Sequence, residues 1–156
     1  MERTALFAGT FDPFTKGHHA LIERALPLFD KIIIAIGNNS GKKCMFSIDE
    51  RVAAIEKLYS GDSRIEVKVY NCLTVDFARE TGATTLLRGV RSVKDFEYER
   101  ELAEINLKLS GIETVLLISE AEYALLCVST FWRTSPSVCP VSPSFCTVLL
   151  PFLRSS

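Results

Sequence analysis

The feature that most constrains the fold is the alternation of short apolar runs with amphipathic segments over the first two-thirds of the chain. The run Lys31–Ile36 (KIIIAI) is continuous and β-branched, as is typical of a strand buried on both faces. Further strands are predicted at Thr4–Ala8, Ile65–Tyr70, Thr85–Leu87 and Thr114–Ile118. Helices are predicted between them, at His18–Phe29, from Ser47 onward, at Thr74–Glu80 and at Asp95–Ser110.

This order of elements predicts an α/β fold, a five-stranded parallel sheet with helices on both faces. Ligands of such sheets bind beyond the carboxyl ends of the strands, near the point where the strand order reverses. The loops after Ala8, Ile36, Tyr70 and Leu87 are therefore expected to share one rim, and this rim is the expected ligand site.

Composition narrows the class of function. The chain has 156 residues, enough for one core, and a formal net charge of −1. That charge argues against nucleic acid or a membrane surface as a partner, since both need a basic field. Five cysteines without a CxxC pair argue against a zinc site or a disulfide framework. With neither a signal peptide nor a bilayer-spanning stretch in the sequence, we expect a soluble cytoplasmic protein.

The first chemical segment is GTFDPFTKGHH, residues 9–19, where a strand gives way to a helix. Helix N-termini attract phosphates, because their backbone N–H groups are free and carry partial positive charge. Thr10 can donate a hydroxyl, and His18 stands where it can bond to a phosphoryl oxygen. The alternative is an ordinary strand-to-helix turn with an incidental surface histidine, since isolated glycine motifs are weak signals.

The second segment is LLRGVRSVKDFEYER, residues 86–100. Arg88 and Arg91 are expected directly after a strand, where two guanidinium groups can bind phosphate. Asp95 and Glu99, four residues apart on the next helix, could orient the arginines, bind ribose hydroxyls or hold a metal through water. The alternative is a solvated helix start with Asp95 as its N-cap.

Two weaker candidates follow the second and third strands. Lys42 and Lys43, in GNNSGKKCMF, could reach the rim as mobile charges, although two solvated lysines are the simpler interpretation. Thr74 could contact a ligand or simply begin a helix.

Together these segments resemble the nucleotidylyltransferases of the (H/T)-x-G-H class, with Thr15, Gly17 and His18 filling the motif. GTFDPFTKGH joined to RGVRSVKDFEYE is similar specifically to the phosphopantetheine adenylyltransferase family. The second segment argues against relatives that act on nicotinate mononucleotide or glycerol phosphate. The resemblance covers roughly residues 3–126, and we take 1–126 as a nucleotidylyltransferase domain.

The resemblance implies a Rossmann-like fold and adenylyl transfer from ATP to 4′-phosphopantetheine. It also implies Mg²⁺ held mainly by the ATP phosphates rather than by a protein metal site, and a homo-oligomer, in the family a hexamer. His18 would be the catalytic residue. The phosphopantetheine site would be formed by Thr10, Lys42, Thr74 and Arg88. The ATP site would be formed by Thr10, Phe11, His18, Gly89, Val90, Arg91, Glu99 and Ser129.

The tail departs from the family. From Tyr123 to Ser156 only Arg133 and Arg154 are charged, while proline, serine and cysteine become frequent. Of the family's serine run only Ser129 remains, and no amphipathic helix follows it. We interpret residues 127–156 as an aberrant tail, the product of a reading-frame shift, with a diverged tail as the alternative. If the tail disables catalysis, the chain would be an impaired nucleotide-binding homologue.

Overall fold

The computed structural model describes residues 2–38, 41 and 43–119, and these form alternating strands and helices. The strands are β1 (Thr4–Gly9), β2 (Lys31–Gly37), β3 (Ile65–Tyr70), β4 (Thr85–Val90) and β5 (Glu113–Ile118). The helices are α1 (Lys16–Ala25), α2 (Ile48–Leu58), α3 (Thr74–Glu80) and α4 (Val93–Ser110). No helix in this part of the chain is long and apolar enough to cross a bilayer.

The five strands form one parallel sheet in the order β3-β2-β1-β4-β5. β1 lies at the centre, and Phe7 is in register with Ile34 on one side and Leu87 on the other. β2 and β3 are added in turn on one side of β1, and β4 and β5 are added on its other side. The strand order therefore reverses between β1 and β4, which is where such sheets bind ligands.

Two apolar layers cover the two faces of the sheet, as predicted. One joins alternate residues of β1 and β2 to α1 and α2, with Ile22, Ile34 and Ile55 at most 1% exposed. The other joins the remaining residues to α3, with Leu6 and Ala78 among its buried members. Side chains of successive strand residues point to opposite faces, so the continuous run of β2 supplies both layers.

Local capping signals set most helix ends. Ser47 and Glu50 form a reciprocal capping box that begins α2, as their spacing predicts. Gly111, at φ 73°, ends α4 in the left-handed conformation that glycine adopts without penalty.

Three elements differ from the sequence prediction by more than one residue at a boundary. β4 continues to Val90 because it pairs with β5 as far as Ile118, so Arg88 lies within the strand instead of after it. α4 begins at Val93, because Ser92 rather than Asp95 is its N-cap. α1 spans Lys16–Ala25, starting earlier and ending sooner than predicted.

Candidate functional site

The start of α1 holds His18 in a defined orientation. Thr15 is the N-cap, and its hydroxyl accepts the backbone N–H of His18. In return, the backbone N–H of Thr15 donates to Nδ1 of His18 at 2.9 Å. Because Nδ1 accepts this bond, the neutral imidazole carries its proton on Nε2. The Thr15–His18 capping box therefore presents an N–H donor from the far side of the ring.

Aromatic rings surround that imidazole. The rings of Phe11 and Phe14 lie 5.2 and 5.3 Å from the His18 ring, centroid to centroid, and Phe7 lies at 6.2 Å. Burial lowers the pKa of His18 to about 4, with a further contribution from the positive charge of Arg91. His18 is therefore neutral at pH 7, and its Nε2–H is available as a hydrogen-bond donor that carries no positive charge.

The loop after β1 is folded tightly over the same place. Phe11 has a φ of 49°, a conformation uncommon for a residue with a side chain, and it is 4% exposed. A Cβ on Gly9 would lie 2.9 Å from the Phe11 ring, so only glycine lets that ring fold back. The backbone carbonyl of Thr10 accepts a hydrogen bond from Nη1 of Arg51 at 2.7 Å.

Asp12 joins this loop to the segment that precedes α2. Its carboxylate accepts the backbone N–H groups of Met45 at 2.6 Å and Phe46 at 2.9 Å. Lys42, three residues before Met45, lies outside the described residues. The Asp12 bonds fix the backbone at Met45 and Phe46, just before α2.

Arg88 lies at the switch point between β1 and β4. Two of its nitrogens donate to the two carboxylate oxygens of Glu99, at 2.8 and 2.6 Å, and Nη1 donates to the Ala8 carbonyl at 2.6 Å. Burial by itself lowers the pKa of the Arg88 guanidinium, but the bonds to Glu99 outweigh burial and raise that pKa above its usual range. Glu99 therefore orients Arg88, one of the roles that the sequence left open.

A cavity of about 300 Å³ opens beside this ion pair. Arg88, Glu99 and Thr74 supply polar groups to its wall, and apolar side chains of α3 and α4 supply much of the rest. The hydroxyl of Thr74 lies 3.2 Å from that of Tyr70, whose ring stacks on Phe77. The cavity is thus a mainly apolar chamber with a half-buried guanidinium in its wall, a shape suited to an extended organic ligand bearing an anionic group.

The segment after Arg88 forms the other side of the rim. Gly89 lies against α1, where a Cβ would collide with Leu21, and Val90 accepts the backbone N–H of Ser119 at 2.8 Å. Arg91 is exposed, and its Nε donates to Asp95 at 2.9 Å. This bond is the main cause of the lowered pKa of Asp95. Asp95 thus orients Arg91 as Glu99 orients Arg88.

Among residues 2–38, 41 and 43–119, no group of three or more His, Cys, Asp or Glu side chains is placed so that it could hold a metal ion. The rim carboxylates Asp12, Asp95 and Glu99 are already bonded to backbone N–H groups or to arginines.

The structure brings most of the predicted site residues to one rim. His18, Phe11 and Arg91 lie on one side, where the charge of Arg91 acts on His18; Arg88, Glu99 and Thr74 line the cavity. Ser129, like Lys42, falls outside the part of the chain that the structure describes. Sequence reasoning missed Arg51 and Asp12. The signal for Arg51 was a cation four residues before Ile55, on the apolar face of α2.

Comparison with known proteins identifies the family. The cytidylyltransferase-like family model matches residues 6–141. The phosphopantetheine adenylyltransferase of Bacteroides fragilis is 52% identical over 128 residues, which cover 82% of this chain and 84% of the relative. That of Bacteroides thetaiotaomicron is 53% identical, covering 82% and 83%. The chain belongs to the phosphopantetheine adenylyltransferases.

More distant solved structures share the fold. A bifunctional NMN adenylyltransferase/ADP ribose pyrophosphatase from Francisella tularensis, complexed with AMP and a manganese ion, superposes with a TM-score of 0.59 at 16% identity. The match covers 99% of this chain and 50% of that one. A lipopolysaccharide core biosynthesis protein from Thermoplasma volcanium gives 0.58 at 21% identity, covering 77% and 98%. The Rossmann-like nucleotidylyltransferase fold expected of a phosphopantetheine adenylyltransferase is therefore confirmed.

Proposed function

We propose that this chain transfers an adenylyl group from ATP to 4′-phosphopantetheine, giving dephospho-coenzyme A and pyrophosphate. Identities of 51 to 53% to relatives of that name support this activity. The observation in the structure that carries the proposal is Arg88, held by Glu99 and the Ala8 carbonyl in the wall of the cavity. An apolar arm would occupy the chamber while its terminal phosphate meets the guanidinium.

The assigned roles follow the two sides of the rim. Arg88 and Thr74 bind phosphopantetheine together with Thr10 and Lys42. The ATP site consists of Thr10, Phe11, His18, Gly89, Val90, Arg91, Glu99 and Ser129. Both oxygens of Glu99 accept bonds from Arg88, so Glu99, although assigned to the ATP site, also orients a residue of the phosphopantetheine site.

The chemistry needs no general base. A phosphate monoester is already an anion at neutral pH, so one of its oxygens attacks the α-phosphorus of ATP directly. The new P–O bond forms as the bond to the β-phosphate oxygen breaks, and pyrophosphate leaves with that electron pair. His18 donates its Nε2–H to an oxygen of the transferring group, where negative charge must be stabilised. Mg²⁺, bound through the ATP phosphates, would neutralise charge on the leaving group.

The family resemblance also suggests an oligomeric state for this protein. We propose that the protein forms a homo-oligomer, a hexamer as the family resemblance implies. Exposed apolar side chains of the described residues that do not line the cavity, including Val93 and Ile118, support association. Sedimentation that shows only a monomer of about 17 kDa would contradict the proposed oligomer but would not bear on the activity.

We also propose a cytoplasmic location, with which the free thiols of Cys44 and Cys72 agree.

One assay tests the function. Purified protein is incubated with ATP, Mg²⁺ and 4′-phosphopantetheine, and dephospho-coenzyme A and pyrophosphate are expected in equal amounts. The alternative, an impaired homologue that only binds nucleotide, is not favoured by the comparisons. It predicts equilibrium binding of ATP with no product and no exchange of pyrophosphate into ATP, and that combination would overturn the proposal.

A further inference from the structure

Arg51 is a buried cation whose partners are unusual. It lies on α2 and is 6% exposed. Its Nη1 donates to the Thr10 carbonyl at 2.7 Å and its Nε to the Ser47 carbonyl at 3.2 Å. Within the described part of the chain, these two main-chain oxygens are the partners of its side chain. Because burying a charge is costly, a guanidinium placed here needs a reason beyond packing.

The bond to Thr10 fixes a peptide plane. The Thr10 carbonyl belongs to the peptide that joins Thr10 to Phe11, and that peptide is trans. In a planar trans peptide the C=O and N–H groups point in opposite directions. With the carbonyl held on α2, the amide N–H of Phe11 points away from α2. It donates to none of the residues that the structure describes.

The same peptide borders the strained residue of the loop. Phe11 has a φ of 49°, which a residue with a side chain seldom adopts unless its surroundings impose it. Its ring is held among Phe7, Phe14 and His18, and Arg51 holds the carbonyl that precedes it. Without Arg51, rotation of this peptide would relieve the strain and turn the amide elsewhere.

We propose that Arg51 is a positioning residue that turns the Phe11 amide toward the rim, where it donates to a phosphate oxygen of ATP. This rests on the proposed function in that ATP is taken as the ligand. Backbone N–H groups fixed before the ligand arrives bind anions well, because no reorganisation is needed on binding. Phosphopantetheine is assigned to Thr10 but not to the Phe11 amide, so Arg51 favours the nucleotide more than phosphopantetheine.

Calorimetric titration tests the selectivity. Arg51→Met removes both donors at similar length, and Arg51→Lys keeps the charge with one donor. The matched control is Arg79→Met, since Arg79 also donates to a carbonyl, that of Leu109, but lies far along the chain from this loop. We expect Arg51→Met to weaken ATP roughly 10- to 100-fold, the scale of a hydrogen bond to a charged group. Phosphopantetheine should change less than about threefold, Arg51→Lys should be intermediate and Arg79→Met unchanged. Equal losses for the two ligands would mean a general structural role and overturn the proposal.

A second measurement is made on the unaltered protein and needs a variant only to assign one signal. Labelling with ¹⁵N-phenylalanine yields ten amide signals, and Phe11→Tyr identifies that of Phe11. Saturating ATP should shift the Phe11 signal of the unaltered protein, whereas phosphopantetheine alone should not. An unmoved Phe11 signal at saturating ATP would overturn the proposal even if the enzyme forms dephospho-coenzyme A. Conversely, if ATP shifts the Phe11 signal but the protein makes no dephospho-coenzyme A, the proposal for the Phe11 amide stands and the proposed function is wrong.

Discussion

The backbone N–H of Thr15 donates to Nδ1 of His18 at 2.9 Å, and this single bond decides which nitrogen of the ring can act on a substrate. It leaves the proton on Nε2, and the surrounding rings of Phe11 and Phe14 keep the imidazole neutral. A neutral donor held in place by its own helix cap is suited to stabilising charge that develops during the reaction.

Replacing His18 should therefore affect the chemical step more than binding. His18→Ala is expected to lower kcat about 100-fold or more, the scale of one lost preorganised donor. KM for ATP should change little. Steady-state kinetics with both substrates check this, with His19→Ala as the neighbouring control. A raised KM with kcat intact would contradict the role.

The neutral state of His18 also predicts how stability depends on pH. The pKa of His18 is about 4 in the folded protein and near 6.5 when unfolded, so the unfolded chain takes up the proton first. Stability is thus lost as pH falls from 6.5 toward 4. Relative to His18→Gln, the unaltered protein should lose about 2 kcal/mol between pH 7 and 4.5. Urea unfolding at several pH values measures this, and parallel curves for the two proteins would contradict it.

The Arg88–Glu99 pair should behave as one unit. Arg88→Ala leaves the Glu99 carboxylate, whose side chain is 10% exposed, without its counter-charge and should cost about 3 kcal/mol of unfolding free energy. Glu99→Ala should cost less, because the Arg88 side chain is 34% exposed and water can solvate the guanidinium that remains. The double variant should cost clearly less than the sum, because neither charge is then stranded. Denaturant unfolding of all four proteins completes the cycle. If the losses in unfolding free energy of the two single variants simply add up to that of the double variant, Glu99 does not hold Arg88 in place.

The two arginines of the rim should serve different substrates. Arg88→Ala and Lys42→Ala are expected to weaken phosphopantetheine more than ATP, and Arg91→Ala the reverse. The reason is that Arg88 faces the cavity, whereas the charge of Arg91 acts on His18. Separate calorimetric titrations with each ligand decide this, with Arg64→Ala as an exposed control. Equal losses for both ligands would remove the assignment.

The tail carries a prediction at the level of the gene. Residues 127–156 lie beyond the part of the chain that the structure describes, and their composition suggests codons translated out of phase. Translating the coding DNA past codon 126 in the other two frames should yield a serine run followed by a charged amphipathic helix in one of them. If neither does, the tail is a diverged sequence and the frame-shift interpretation is wrong.

Most of the fold follows from local sequence signals. The β-branched run of β2, the Ser47–Glu50 capping box and the glycine after α4 each act within a few residues, so the sequence displays them directly. They determined the five parallel strands and the helices on both faces. The segments around His18 and Arg88 likewise predicted that both residues would lie at the rim of the sheet, as they do.

Only the tertiary structure decided how the site is held together. The bond from Arg51 to Thr10 spans 41 residues, and that from Arg88 to Ala8 spans 80. The extension of β4 to Val90 depends on its pairing with β5. Such contacts join residues that are distant in the sequence and meet only in the folded chain, so no periodicity or spacing in the sequence predicts them. Sequence patterns therefore specified the elements and the reactive side chains, whereas packing specified the orientation and charge state in which those side chains can act.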